Sequence, residues 1–176
     1  MEKAMTWLVM SLVLAAGALL QVQIPAPAVL GQVKWPFLMS VVIYYALSRE
    51  FDVMLIAAFS AGLLQDAMSP IPLGYSVFCF VVAAWILHNL RNLMLTDSLL
   101  TMAVSGGVAG LVISIGMYFL LFNEGLLACG AGAVFLKFLG ATVTGLICAP
   151  PVFLLTGAFD RKMGNVEARG DIDDVE

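Results

Sequence analysis

Charge is what this sequence has least of. Only 11% of its 176 residues are Asp, Glu, Lys or Arg, while 62% are hydrophobic. A soluble domain carries about 25% charged and about 45–50% apolar residues. With a mean hydropathy of +1.02, the shortage excludes a soluble domain and leaves an integral membrane protein. Histidine is nearly absent too, since His88 stands alone. Its place at a helix end near Arg91 suits an interface residue better than a general base. The three cysteines, Cys79, Cys129 and Cys148, lack metal-ligand spacing and read as small buried hydrophobes. No basic stripe offers a surface to nucleic acid. No Gly-rich phosphate loop follows a strand. No Ser, His and acid are grouped by the sequence. Catalytic, cofactor-binding and metal residues are therefore expected to be none, and the chain is not read as an enzyme. The net charge of −4 is no partner signal, because five of the twelve acids lie after Val166.

Apolar runs fill the chain instead. A membrane span needs about 20 residues, so five or six fit. Span 1 runs from Ala4 to about Ile24. Its run continues past the Ala16-Gly17-Ala18 site, so it reads as an uncleaved anchor rather than a signal peptide. Span 2 runs from about Trp35-Pro36 to Ser48 and span 3 from Val53 to Met68. Both are short, and are read as two short spans that thin the bilayer locally, with a shielded re-entrant hairpin as the other reading. Span 4 runs from Pro72 to about Leu90, with Ser69 as a candidate N-cap. Span 5 is Leu99 to Phe122, with a cap at Asp97 or Ser98, and carries Gly106-x-x-x-Gly110 for close helix approach. Span 6 is Ala131 to Ala158, bent or split by Pro150-Pro151. The expected fold is thus an all-α polytopic bundle of about six transmembrane helices. Residues 1–159 form one membrane domain, and residues 160–176 form a polar, acidic cytoplasmic tail that is disordered. Lys3, Arg49, Arg91, Arg161, Lys162 and Arg169 fall on one side of that topology and only Lys34 on the other, which orients both termini inward.

The polar centre of the sequence is the stretch from Gly62 to Gly74. It places Asp66, Pro70, Pro72 and Gly74 between two apolar runs. An acid at such a place needs a partner. Two partners are open. Asp66 pairs across the bundle with Lys137 of span 6, or it accepts hydrogen bonds from free backbone N–H groups of its own turn while Lys137 snorkels outward. The tyrosines Tyr44, Tyr45 and Tyr75 read as packing or interface anchors.

Lys34-Trp35-Pro36, Ile43-Tyr44-Tyr45-Ala46-Leu47, Gly62-Leu63-Leu64-Gln65-Asp66 and Pro72-Leu73-Gly74 occur in this order. Together they resemble the rod shape-determining protein MreD family, over roughly Lys34 to Leu90. The resemblance implies a non-catalytic component of the bacterial inner membrane. It would act in the cell-elongation complex, or elongasome, where peptidoglycan synthesis is organised. Implied partners are an MreC-like periplasmic scaffold and, indirectly, MreB and the RodA–penicillin-binding-protein synthase. The resemblance also implies a fold like the substrate-binding S components of energy-coupling-factor transporters. Gly62, Asp66, Pro72 and Gly74 match the motif and are carried over as a structural signature. A competing reading is a small-molecule-binding subunit of such a transporter. It needs a pocket where polar groups converge, with Asp66, Lys137, Tyr75 and Asn123 as candidates.

Overall fold

The computed structural model describes residues 2–25, 33–70, 72–91, 99–125 and 131–162. Among them are six helices: α1 (Glu2–Gln23), α2 (Phe37–Ser48), α3 (Phe51–Ala67), α4 (Tyr75–Leu90), α5 (Leu99–Asn123) and α6 (Ala131–Lys162). Segments of α1, α5 and α6 are long and apolar enough to cross a membrane, while α2 and α4 are shorter apolar helices.

The helices form a ring around one member. In sequence of contact the ring is α1, α3, α4, α5, α6 and back to α1, and α2 packs against all five. This explains a property of α2 that periodicity cannot give. Its ten residues from Leu38 to Leu47 are all buried, with no exposed stripe. A helix apolar on every side is buried in protein or in membrane, and its contacts place α2 inside the ring. The ring helices are apolar outside as well. On α3, Phe51, Leu55, Phe59 and Leu63 form an exposed row at four-residue spacing, which is one face of a helix. Such rows are costly in water and ordinary in hydrocarbon.

Small residues set how close the ring helices come. A Cβ on Gly110 would lie 2.5 Å from the carbonyl oxygen of Ala141, and one on Gly106 would run into the backbone of Gly145. The Gly106-x-x-x-Gly110 spacing therefore joins α5 to α6. α6 runs unbroken through Pro150 and Pro151. The prolines leave the carbonyls of Leu146 and Ile147 without their usual helical donors, yet they do not split the span. Helix α6 also ends later than the sequence suggests. Asp160, expected at the start of a tail, is helical and fully buried. The expected caps Asp97 and Ser98, Cys129, and the tail beyond Lys162 lie outside the described residues.

Candidate functional site

Two polar assemblies are built into this apolar bundle, one at each end of α2. The first is the joint between α3 and α4. Helix α3 stops at Ala67, and Ser69 N–H donates to the Asp66 carbonyl at 3.1 Å. Pro72 lies on the exposed turn that follows. Gly74 then takes φ of 104°, a left-handed conformation that favours glycine. It immediately precedes α4, so α4 begins at Tyr75 and not at Pro72. Gly74 has no side chain to cap the helix. The cap comes from α3: Asp66 Oδ2 accepts the N–H of Gly74 at 2.6 Å, and Oδ1 accepts that of Ser76 at 3.0 Å. A carboxylate at a helix N-terminus satisfies orphan donors and meets the positive end of the dipole. Ser69, the cap expected from sequence, does not serve α4. Gly62, one turn before Asp66, lets α4 approach. A Cβ there would sit 2.7 Å from the Val77 nitrogen. Gly62, Asp66 and Gly74 are thus three parts of one joint.

Lys137 is not part of it. Its side chain is exposed and lines a cavity of about 170 Å³ with Val33, Tyr118 and Phe138. Among the described residues the one salt bridge is elsewhere, so the Asp66–Lys137 pair is absent there. The reason is that both Asp66 oxygens are engaged by the turn. Tyr75 donates to Glu124 at 2.9 Å on the surface, and Asn123 is exposed. Asp66, Lys137, Tyr75 and Asn123 therefore do not converge on one pocket.

Beside this joint, three helices are tied by amides. Gln21 Nε2 donates to Gln65 Oε1 at 2.5 Å, and Gln21 Oε1 accepts the N–H of Leu38 at 3.4 Å. Leu38 is in the first turn of α2, where Pro36 makes no side-chain cap. Gln21 thus supplies an acceptor that the local sequence lacks. Glutamines inside predicted spans were the available signal for this tie.

The second assembly closes the other end of α2. Asp160 of α6 receives Arg49 Nη2 at 2.6 Å and the Tyr44 hydroxyl at 2.9 Å. The Tyr44 ring meets Phe153 edge-on at 5.0 Å and lies over Gly157, whose missing side chain leaves room for it. The end of α4 completes the closure. Arg91 Nη1 donates to the Arg49 carbonyl at 3.0 Å, and His88 Nδ1 lies 3.0 Å from the Ala46 carbonyl. Basic groups at a helix C-terminus satisfy its last carbonyls and suit its dipole. Sequence reasoning missed this clasp because Arg49 and Asp160 are 111 positions apart. Both described free cysteines, Cys79 and Cys148, are buried, as expected of small hydrophobes.

The rod shape-determining protein MreD family matches residues 1–157. The chain belongs to the MreD family. The match takes in the whole α3–α4 joint, while Asp160 lies just beyond it. No curated protein and no solved structure matches the chain. Membership makes this a membrane protein of cell-shape determination, in a family associated with the MreC and MreB shape complex. It is a family of structural proteins, not one of known enzymes.

Proposed function

We propose that this protein is a non-catalytic, multi-pass component of the bacterial inner membrane. It acts in the cell-elongation complex and organises peptidoglycan synthesis there. All six helices cross the bilayer with both termini inside, and the ring offers helix faces to an MreC-like periplasmic scaffold. MreB and the RodA–penicillin-binding-protein synthase are reached through that scaffold. The family match over residues 1–157 carries this reading. The use of the buried polar groups supports it. Asp66 is committed to a helix cap and Asp160 to a clasp, so both act as architecture.

Depletion in a rod-shaped host tests it. Cells should round up, and an MreC-like protein should co-purify after mild detergent extraction. Cells that keep their rod shape and width would end the proposal.

A further inference from the structure

A slot runs down the side of the bundle between α1, α2 and α6, with a volume of about 340 Å³. Val9 and Leu20 mark its extent on α1. The eleven steps from Val9 to Leu20, at 1.5 Å rise each, make it ~16 Å long. A narrow apolar slot of this length suits an extended hydrocarbon chain.

The walls agree with that. They are carbon throughout, except for Thr156. The Thr156 hydroxyl already donates to the Val152 carbonyl at 2.7 Å, so it calls for no polar ligand. A bilayer leaves no water to fill such a space, and hydrocarbon fits it. The mouth adds a charge. On α6 the wall is formed by Val152, Leu155, Thr156 and Phe159. Lys162 stands three residues after Phe159, on the same face. Its side chain is exposed and helix α6 ends there.

We propose that this slot holds an acyl chain of one anionic phospholipid, whose phosphate is met by Lys162. The chain lies along Gly17 and Val13 of α1, and the headgroup sits at the end where Arg49 and Asp160 close the bundle. Lysine is a point-charge partner for phosphate, and anionic lipid is attracted to basic groups at the inner surface. The proposal needs the protein to lie in a bilayer. It does not need its role in cell shape.

Gly17 offers the means to fill the slot. A Cβ there is in ordinary contact, 3.9 Å from the Leu38 side chain and from backbone atoms of Phe37 and Leu38, so the position accepts a side chain and a large one takes up slot volume. The full chain, extracted in mild detergent, should retain a phospholipid visible by native mass spectrometry. After delipidation, added phosphatidylglycerol should raise its thermal midpoint more than phosphatidylcholine does. Gly17→Leu should lose the retained lipid and the shift while its helicity and elution volume stay unchanged. Lys162→Gln should keep lipid binding but lose the preference for phosphatidylglycerol. It also serves as the test if Gly17→Leu fails to fold, because Lys162 is exposed. Equal retention by folded Gly17→Leu, or an undiminished preference in Lys162→Gln, would overturn the proposal. So would the loss of a co-purifying protein from Gly17→Leu with the lipid still bound. A failed shape phenotype on depletion would leave these lipid readouts untouched, so the two proposals fail separately.

Discussion

At the scale of single residues, the acids of the bundle do different jobs. Asp66 holds two backbone donors at the start of α4. Replacing it with Leu leaves both without a partner, at ~1–3 kcal/mol for each buried group. Asp66→Leu should lower the thermal midpoint in detergent and reduce the folded protein in the membrane. Normal accumulation with lost partner binding would mean instead that Asp66 touches a partner. Asp160 differs, because its partner is a cation. Asp160→Leu strands Arg49, and breaking one side of a buried pair costs ~3–5 kcal/mol. Arg49 is 19% exposed, which places the effect toward the lower end. The double variant Arg49→Met/Asp160→Leu should recover most of the loss, because removing both charges together leaves neither unpaired. Additive losses in a double-mutant cycle would show that the two side chains do not depend on each other.

At the scale of elements, the two glycines of the α3–α4 joint separate two kinds of constraint. Gly62 is constrained by space and Gly74 by dihedral. Nothing lies within 4 Å of a Cβ built on Gly74, so Gly74→Ala should cost about 1–2 kcal/mol for its left-handed backbone. Gly62→Ala should cost more, because its Cβ meets the α4 backbone and the helices must part. Comparing the two thermal midpoints in one detergent checks the order. This joint was legible in the sequence because all of its parts fall within 15 residues, marked by Asp, Pro and Gly. The start of α4 was not, because Pro72 suits a helix start by composition while the backbone turn at Gly74 decides it. The clasp was less legible still. Apolar periodicity shows that α2 and α6 are helices but gives no register between them. Asp160, followed by basic residues and then more acids, looked like the first residue of a tail.

At the scale of the molecule, length creates a puzzle. Helix α2 has 12 residues, or ~18 Å at 1.5 Å each, against ~30 Å of hydrocarbon. Its lead-in from Val33 to Pro36 is not helical, and four extended residues add up to ~14 Å. The ring shields α2 from Leu38 onward, whereas the lead-in is only half-buried with Lys34 exposed. That suits a segment near the interface, since non-helical backbone deep in the bilayer needs protein around it. Reporter fusions test the resulting topology. A reporter after Gly125 should be active on the periplasmic side, and one after Glu176 on the cytoplasmic side. Both on the same side would mean that α6 does not cross. Composition already fixed the membrane class, but not the ring. An enclosed helix and a lipid-facing helix are equally greasy, and only contacts tell them apart.

The bond between Arg49 and Asp160 also bears on how the protein is made. The guanidinium leaves the ribosome early, and the carboxylate that neutralises it comes more than a hundred residues later. Until then, a nascent chain carries an unmatched cation at the foot of its second helix. A polypeptide cut short anywhere before Asp160 keeps that cation without this carboxylate, so the clasp closes only on a nearly finished chain.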